Sequence, residues 1–491
     1  MCRRAIRQVM MDARILSVLL STLLQYVSSN VIVYPSPQGI HPSDKFDVSI
    51  SQSGHQHQLF VYISKSDQRS KQTSRTQPGR SMSWTSFAFT GAAVTVEVHA
   101  PKDFNNCLVK PSSYGYKCRR TGIKTAAFTV SHNTRMMSVE FDYDYGFGVS
   151  DIVDKLFVFA DPPEGSVPSP HDRNVLYYGP GIHDLHKEIV VDKDIREVYI
   201  APGAYIRGGF QLPHGRVKFH GRGIVSNENF VRHDDSIGQS AIDFKGSSNN
   251  VFDGVTIADP STFFYLSNGD DNVVRNARLV AAWMGNSDGI GIGDRGLVED
   301  SFIIADDANI KMHKSHMTVR RCVLWQMQNG GVFQTGWTTA YVRNVSISNM
   351  DVIHVDYCKF KDPCTHFSSN DAVLDTFGNT RHFDISDMRF EDIRVEGSCP
   401  RVVHFVMNPA AKGTISNLKV INMSVESQPT NDPLHNEIAG TSIGGRITNW
   451  QFVNFKVGGH CISNPDQGDF RIDPHTTKDI TFSCHSGSII G

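Results

Sequence analysis

Apolar and polar positions alternate over short runs in the C-terminal two-thirds of the chain, and these runs repeat. Each run carries an early polar residue that we take as the marker of the repeat, namely Asp253, Asn276, Asp300, Arg321 and Asn344. The markers follow one another at steps of 23, 24, 21 and 23 residues, and Asp387, Asn417 and Asn449 continue the series at wider steps. A fixed period of this length is the signature of a solenoid.

The composition of each repeat indicates which solenoid it builds. Short apolar strands separated by polar turns are typical of a parallel β-helix, whose stacked coils bury one continuous core. A leucine-rich solenoid has a similar period but needs a leucine and asparagine consensus that is missing here, and a propeller blade needs about twice the period. We therefore predict an all-β chain in which residues 166–491 form a right-handed parallel β-helix.

Residues 30–165 precede the repeats and have a different pattern. Short alternating or β-branched runs lie between polar turns that contain Gly or Pro, and no run has a helical period. Strands at this spacing predict an N-terminal β-sandwich, which we expect to end near Asp161-Pro-Pro163. The runs are Val31–Tyr34, Phe46–Ile50, Leu59–Ile63, Val94–Val98, Ala126–Val130, Met137–Phe141 and Leu156–Phe159.

Residues 1–29 have the order of a secretory signal peptide. Four arginines precede an apolar run from Ile15 to Leu24, and the small residues Ser28 and Ser29 follow. The run is shorter than the ~20 apolar residues that a membrane-spanning helix needs. We expect cleavage near residue 29 and a secreted, extracellular protein.

Cysteine usage agrees with export. Cys2 leaves with the signal peptide, and an even number of cysteines remains, which suits disulfides in a secreted chain. We favour Cys107–Cys118, Cys358–Cys364 and Cys461–Cys484, because each pair closes a short segment. Cys322 lies in an apolar strand pattern and is predicted to be a buried free thiol. Asn344 and Asn422 begin short glycosylation acceptor patterns, as expected of a glycoprotein.

The densest group of chemically active side chains lies between Trp283 and Trp337. Asp288 and Asp307 are 19 residues apart, just short of one coil, so we expect them side by side on neighbouring coils. Glycoside hydrolysis needs paired carboxyl groups, of which one protonates the leaving oxygen and the other activates a water or attacks the sugar. Asp288, Asp307 and the adjacent Asp306 are therefore the catalytic candidates.

Period-2 alternation separates Asp306 from Asp307. If Ile310 points inward, Asp307 points outward in a regular strand, and Asp306 shares the inward face unless a bend intervenes. Asp307 is thus the better acid–base candidate. Gly289 permits the bend that would turn Asp288 toward the same groove.

Polar and aromatic side chains around the aspartates are candidates for substrate binding. The two tryptophans suit the flat faces of pyranose rings, although the core is the more usual place for an isolated tryptophan in an apolar strand. A metal at His313 and His316 is disfavoured because further ligands are missing. His233–Asp235 reads as a loop tip. The substrate-binding candidates are Trp283, Asn286, Lys311, His313, Gln334 and Trp337.

Several of these segments resemble a known group of enzymes. Tyr178–Ile182, Tyr199–Tyr205 and Gly221–Ile224 are similar to the entry coils of polygalacturonase-like β-helix hydrolases. The stretch from Asn286-Ser-Asp-Gly289 to Gln334-Thr-Gly-Trp337 more closely resembles glycoside hydrolase family 49, the dextranase and isopullulanase family. The resemblance covers roughly residues 31–460. It implies a β-sandwich joined to a right-handed β-helix, with inverting hydrolysis of an α-glucan by three aspartates.

The chain departs from both patterns at particular positions. The Gly-His-Gly and Arg-Ile-Lys motifs of polygalacturonases are missing, which disfavours hydrolysis of pectin. Family 49 typically has two adjacent aspartates shortly before Ile-Lys. Aligning Ile310-Lys311 with that motif places Asp307 on the first aspartate and Ala308 on the second, so that Asp306 would have to substitute by a local shift.

These observations predict a secreted, endo-acting glycoside hydrolase that prefers dextran, an α-1,6-glucan. Asp307 is expected to be the general acid, Asp288 with Asp306 to form the base side, and Lys311 to contribute charge or contact substrate. No metal or organic cofactor is expected. The alternatives are a hydrolase or lyase of another polysaccharide, such as pullulan or polygalacturonan, and a catalytically inactive carbohydrate-binding β-helix protein.

Bulk properties limit the partners. Hydrophobic residues make up 40% of the chain, as in a globular protein, and the formal net charge is only −2. A net charge this small produces no strong electrostatic attraction to a nucleic acid or an anionic membrane. We expect a polysaccharide substrate, no nucleic acid, no membrane after removal of the signal peptide, and a monomer.

Overall fold

The computed structural model describes residues 30–65, 81–142, 154–282, 286–327, 329–337, 341–356, 371–376, 381–428 and 434–485. Within these ranges almost all regular structure is β-strand, and the helical pieces are short 3-10 turns at Ser112–Tyr114 and Pro465–Gly468. No helix in the described ranges has the length and apolar character to cross a membrane. The predicted signal peptide lies outside them.

The N-terminal strands form two sheets that pack face to face as a β-sandwich. One sheet has the order β1-β5-β11-β10-β7, with β4 also paired to β5, and the other has the order β3-β2-β6-β9-β8. The strands are β1 (Asn30–Val33), β2 (Asp47–Gln52), β3 (His55–Leu59), β4 (Tyr62–Lys65), β5 (Ser81–Thr90), β6 (Val94–His99), β7 (Cys107–Lys110), β8 (Arg119–Arg120), β9 (Thr125–Val130), β10 (Arg135–Phe141) and β11 (Asp154–Asp161).

Alternation places the sandwich core. In β6, Val94, Val96 and Val98 are buried and the residues between them are exposed, as expected for a strand with one wet face. Strand β5 was missed by the sequence analysis because its sequence, SMSWTSFAFT, mixes hydroxyl residues with apolar ones. Its Ser83 and Thr85 are nevertheless fully buried, because they share with Phe87 and Phe89 the face that packs into the sandwich core. Met82 and Trp84 on the other face pack against the second domain.

The second domain is the right-handed parallel β-helix that the repeats predicted. Its strands are β12 (Val175–Tyr178), β13 (Gly181–Val190), β14 (Glu197–Ile200), β15 (Ala204–Gln211), β16 (Lys218–Gly221), β17 (Ile224–Ser226), β18 (Ser240–Asp243), β19 (Val251–Asp253), β20 (Thr256–Ala258), β21 (Phe263–Leu266), β22 (Val273–Arg275), β23 (Arg278–Val280), β24 (Ile290–Gly291), β25 (Leu297–Glu299), β26 (Phe302–Ala305) and β27 (Ile310–Lys311). They continue as β28 (Thr318–Arg320), β29 (Val323–Gln326), β30 (Phe333–Thr335), β31 (Tyr341–Val355), β32 (Leu374–Thr376), β33 (His382–Ser398), β34 (Val403–Val406), β35 (Lys412–Ile421), β36 (Ser424–Ser427), β37 (Asn436–Ala439), β38 (Gly445–Val453), β39 (Lys456–Val457), β40 (His460–Cys461), β41 (Phe470–Ile472) and β42 (Thr477–Ser483).

Each coil contributes strands to three parallel ladders that run the length of the β-helix. The first ladder passes through β16, β19, β22, β25 and β28, and the second through β17, β20, β23, β26 and β29. The third passes through β18, β21, β24, β27, β30, β32, β34 and β37. Long strands such as β31 and β33 bend across two ladders.

The polar markers of the repeat are corner residues, and they form two rows rather than one. Asn276, Asp300 and Arg321 stack on Asn349, whereas Asn344 stacks in a different corner with Asp387, Asn417 and Asn449. The first position of the series is also corrected, because Gly254 and not Asp253 is in register with Asn276. All these corner residues have positive φ, a conformation that Asn, Asp and Gly adopt most readily.

Side-chain ladders stabilise the corners. The amide of Asn417 donates to the Asp387 carboxylate at 3.0 Å, and the amide of Asn449 donates to the Asn417 oxygen at 2.8 Å. Each such hydrogen bond contributes about 1 kcal/mol. The stacking therefore explains why polar residues recur at one position of an otherwise apolar repeat.

A buried ion pair joins the two domains. Arg278 of the β-helix donates to Asp161 at the end of β11, and both side chains are completely buried. Tyr34 donates to the same carboxylate at 3.0 Å, and Arg278 also donates to the carbonyl oxygen of Gly254 at 2.8 Å. The predicted domain boundary at residues 165 and 166 falls between this end of β11 and the start of β12.

The cysteines follow the predicted pairing where the structure describes them. Cys107–Cys118 and Cys461–Cys484 form disulfides, and Cys322 is a buried free thiol. The predicted Cys358–Cys364 pair lies outside the described residues. Asn344 and Asn422, the two predicted glycan acceptors, are exposed corner residues.

Removal of one partner of the interdomain pair should destabilise the fold strongly. We expect Asp161→Ala to lower the free energy of unfolding by about 3–5 kcal/mol, because it leaves the Arg278 charge buried without its partner. Urea unfolding followed by fluorescence measures this. The control is Glu391→Ala, which breaks the exposed pair with Arg389 and should cost about 0–1 kcal/mol. Equal losses in the two variants would contradict the assignment.

Candidate active site

The third ladder carries one outward residue per coil at a common level. Because its strands are in register, these residues form a continuous row, called here the groove row, in which neighbours are separated by about 4.8 Å of sheet spacing. The residues just before them, such as Ile290, Ile310 and Phe333, point into the core. The groove row consists of Leu266, Gly291, Lys311, Gln334, Asp375, His404 and Glu437.

Lys311 reaches from its own coil to Asp288 on the preceding one. Its Nζ lies 2.5 Å from Oδ2 of Asp288 and 3.9 Å from the ring centroid of Phe263, a coil further back. Gly291 lies between the two coils in the groove row, where a Cβ would be tight against the Leu266 side chain at 3.0 Å and in ordinary contact with Cδ of Lys311 at 3.8 Å. The lysine stem therefore runs along the groove over a coil position that has no side chain.

Amide groups hold Asp307 in place. Its Oδ2 accepts hydrogen bonds from Nδ2 of Asn286 at 3.2 Å and from Nδ2 of Asn329 at 2.8 Å, and its Oδ1 accepts one from the backbone N–H of Ala308 at 2.9 Å. Arg232 donates to the oxygen of the Asn286 side chain, so that the amide presents its N–H groups to Asp307. Asp307 itself is half-buried, at the solvent side of the strand end.

Two backbone positions bring the aspartates together. Asn286 adopts φ +57°, a left-handed conformation that asparagine tolerates, and this turns its side chain toward the next coil. Gly289 was expected to supply a bend, but its role is close packing. A Cβ on Gly289 would lie 2.3 Å from the carbonyl oxygen of Asn309, so only glycine lets the next coil approach Asp288 this closely.

Asp288 and Asp307 act as one titrating unit. Burial raises the pKa of Asp288 to about 8, the charge of Asp307 adds to this rise, and Lys311 opposes it. Coupled carboxyl groups of this kind lose their protons in two steps that belong to the pair. Because the Asp307 charge is one cause of the raised pKa, protonation of Asp307 lowers the pKa of Asp288. At neutral pH the pair therefore holds one proton.

Asp375 is a third carboxyl group of the site, and the sequence analysis missed it. It follows Gln334 in the groove row, is completely buried, and has its Oδ1 3.2 Å from Nδ1 of His404. Burial raises its pKa well above the usual range, Arg401 opposes this, and the charges of Asp371 and Asp307 add to it. Because Asp375 is completely buried, it makes no direct contact with substrate.

Asp306 is not part of the site. It is completely buried, and its backbone N–H donates to Oγ of Ser287 at 3.0 Å. Asp306 and Asp307 lie in the bend between β26 and β27, and there Asp306 is turned inside while Asp307 lies at the groove. This burial does not support a substitution of Asp306 on the base side through a local shift, and that role stays a prediction.

The remaining candidates have different surroundings. Gln334 lies in the groove row and is hydrogen-bonded to His313, whose pKa is lowered to about 3 by burial and by the nearby Lys311 charge, so that His313 is neutral. Trp337 follows β30 with 41% of its surface exposed, which excludes a core role. Trp283 lies outside the described residues.

Several site residues carried no recognisable signal in the sequence. Phe263 and Arg232 precede the aspartates by one or two coils and look like ordinary strand and loop residues. Asn329 sits in a turn where asparagine is common. Asp375 lies 41 positions after its neighbour Gln334, so the repeat period gave no reason to place the two together.

The comparisons with known proteins agree on one group. The chain matches no family model. It is 24% identical over 485 residues to a dextranase of Arthrobacter globiformis, a match that covers 79% of this chain and 75% of that protein. It is 25% identical over 431 residues to an isopullulanase of Aspergillus niger, covering 75% of each. The solved structure of Dex49A from Penicillium minioluteum matches with a TM-score of 0.76 and 21% identity, over 92% of this chain and 96% of that one.

These matches extend along most of the chain and therefore include more than the coil architecture that many unrelated activities share. Together with the paired aspartates of the groove, they define the class of the protein as a glycoside hydrolase. Within that class its sequence relatives are dextranases and an isopullulanase, the enzymes of the family 49 that the sequence resembles. The resemblance inferred from the sequence is thus confirmed.

The raised pKa of Asp288 has a consequence for stability. In the unfolded chain an aspartate ionises near pH 4, whereas folded Asp288 keeps its proton to about pH 8. The free energy of unfolding should therefore fall as pH rises between these values, by up to about 1.4 kcal/mol per pH unit. We expect Asp288→Asn to lack this component, so that its stability relative to the wild type increases from pH 5 to pH 7.5.

Urea unfolding of both proteins at the two pH values measures this difference. Asp479→Asn, at an exposed corner of the last coil, is the matched control and should follow the wild type at both values. If Asp288→Asn also parallels the wild type, the carboxyl group is ionised in the folded protein at neutral pH.

Proposed function

We propose that this protein is a secreted, endo-acting hydrolase of α-glucan whose preferred substrate is dextran. The observation that carries the proposal is the placement of Asp288 and Asp307 on neighbouring coils of one groove, with one proton between them and Lys311 at 2.5 Å from Asp288. The substrate follows from the relatives, two of which are a dextranase and an isopullulanase.

Different accessibility gives the two carboxyl groups different tasks. Asp307 is half-buried, so a bulky glycosidic oxygen can approach it, and we assign it as the general acid. Asp288 is only 5% exposed, and its Oδ1 makes no hydrogen bond within the described residues. Only a small molecule such as water reaches Asp288, which suits a general base.

The proposed reaction is hydrolysis with inversion. In the reacting form the shared proton lies on Asp307 and Asp288 is ionised. Asp307 gives this proton to the leaving glycosidic oxygen while Asp288 takes a proton from water, whose oxygen bonds to the anomeric carbon. Loss of the Asp307 proton and gain of one by Asp288 leave the charge of the pair unchanged. Lys311 stabilises the Asp288 carboxylate before the water attacks. Asn286 and Asn329 keep Asp307 at the groove in both states.

The charge of the groove favours a neutral polymer. Glu437 lies further along the groove row, and its carboxylate would repel an anionic chain such as polygalacturonate. The exposed ring of Trp337 offers a flat apolar face of the kind that pyranose rings stack on. Both features support an uncharged glucan.

Secretion is supported by three features of the chain. The N-terminal order of basic, apolar and small residues is that of a signal peptide. Two disulfides are formed, which is characteristic of proteins that fold in oxidising compartments. Both predicted glycan acceptors are exposed.

Activity and its dependence on the pair are tested together. The wild type should release reducing sugar from dextran, less from pullulan and none from polygalacturonate. Asp307→Asn and Asp288→Asn should each lose about 10²–10⁴-fold in kcat, the usual contribution of a general acid or base, whereas Asp479→Asn should retain full activity. Binding of dextran by the wild type without release of sugar would replace the proposal with an inactive binding protein.

A substrate whose leaving group needs no protonation distinguishes the general acid from the general base. Fluoride leaves without protonation, so Asp307→Asn should hydrolyse α-glucosyl fluoride nearly as well as the wild type, while Asp288→Asn should not. If Asp288→Asn rather than Asp307→Asn hydrolyses α-glucosyl fluoride, Asp288 is the general acid and Asp307 the general base. Proton NMR of the first-formed product should show the β-anomer if the reaction inverts.

The shared proton predicts the pH profile. Hydrolysis needs one proton on the pair, so kcat/KM for dextran should fall as pH rises through about 8, where that proton is lost, and again at low pH, where both groups are protonated. Lys311→Met removes the opposing charge and should move the alkaline limb to higher pH. An unchanged alkaline limb in this variant would show that Asp288 is not part of the titrating pair.

A further inference from the structure

A cavity of about 360 Å³ lies beside the catalytic pair. Its lining comes from the coil of Asp288, from the two coils before it, and from the loop His233–Asp235, which the sequence did not connect with a function. The lining includes His233, Asp235, Gln239, Thr262, Phe263 and Asn286. Four of these residues have no part in the reaction as assigned above.

The cavity and the catalytic pair share two walls. Asn286 faces the cavity and also donates a hydrogen bond to Asp307. Phe263 faces the cavity, and its ring lies 3.9 Å from the Lys311 ammonium that pairs with Asp288. A molecule that lies over the two aspartates therefore continues directly into the cavity.

The chemistry of the lining selects a hydroxyl-rich, uncharged ligand. Asp235, Gln239 and Thr262 offer carboxylate, amide and hydroxyl groups to sugar hydroxyls, and Phe263 offers an apolar face. Asp235 is exposed and makes no hydrogen bond or ion pair with other described residues, so its carboxylate is available to a ligand. A sugar that itself carries a carboxylate would be repelled by it.

We propose that this cavity binds a neutral sugar residue of the substrate chain, adjacent to the residue at which the bond is cut. This inference rests on the proposed function and adds a second binding position to it. The cavity lies toward the N-terminal coils, while the groove row continues from Lys311 toward the C-terminal coils. The substrate chain therefore crosses the catalytic pair along the axis of the β-helix, and the cavity helps to decide which bond lies over the aspartates.

The first test compares long and short substrates. In the double variant Asp235→Ala/Gln239→Ala, KM for isomalto-oligosaccharides should rise about tenfold, the effect of losing a hydrogen bond to a charged group, with a smaller change in kcat. The preferred cleavage position in oligosaccharides of defined length should also shift. Hydrolysis of α-glucosyl fluoride, which fills only the position at the aspartates, should be unchanged.

Matched controls limit this test to the cavity. Asp103→Ala removes an exposed carboxylate of the sandwich and should leave KM and the cleavage position unaltered. The single variant Gln239→Ala gives a second reading if the double variant folds poorly, which its melting temperature reports. Unchanged KM and cleavage position in folded cavity variants would overturn the proposal.

The second test measures binding without turnover. In the Asp307→Asn background, calorimetry should show binding of isomalto-oligosaccharide, no binding of oligogalacturonate, and about tenfold weaker binding after addition of Asp235→Ala/Gln239→Ala. If the cavity substitutions weaken binding but the wild type hydrolyses none of the substrates, the cavity binds sugar as proposed and the proposed hydrolysis is wrong. Equal affinity with and without the cavity substitutions overturns the cavity, whatever the activity of the wild type.

Discussion

The register of backbone hydrogen bonds between successive coils is the constraint on which the rest of the structure depends. Each coil repeats the path of the preceding one, so a residue's neighbours are fixed by its position in the coil rather than by its distance along the chain. This register stacks Ile290 on Ile310 in the core and, one residue later, Gly291 under Lys311 at the surface. The same backbone register therefore fixes both the packing of the core and the neighbours of each residue in the groove.

Electrostatics at the site follow from that alignment. Parallel stacking forces carboxyl groups close together, and burial makes their simultaneous ionisation costly. Lys311 and the amides of Asn286 and Asn329 offset part of that cost. The remainder appears as a raised pKa at Asp288 and Asp375. In a β-helix, equivalent positions of successive coils lie side by side. Acidic residues at such positions in a groove therefore have raised pKa values.

The sequence contained most of this fold but only part of the site. Strands and coils were predictable because alternation and a period of about one coil are local signals. Asp288 and Asp307 were found because their separation is close to that period. Asp375 was not, because the long segment after Trp337 interrupts the period, so its register with Gln334 is visible only in three dimensions. Strand β5 was missed because burial, not composition, decides its state.

The glycine in the groove row has a consequence for how such proteins diversify. Because each coil places a single side chain in that row, one substitution alters one rung and leaves the stacking of the others intact. Gly291 is the position over which the lysine stem lies, and a side chain there would crowd Leu266. Gln334, His404 and Glu437 stand on rungs without that restriction. Single substitutions in the groove row can therefore change substrate preference one coil at a time without altering Asp288 and Asp307.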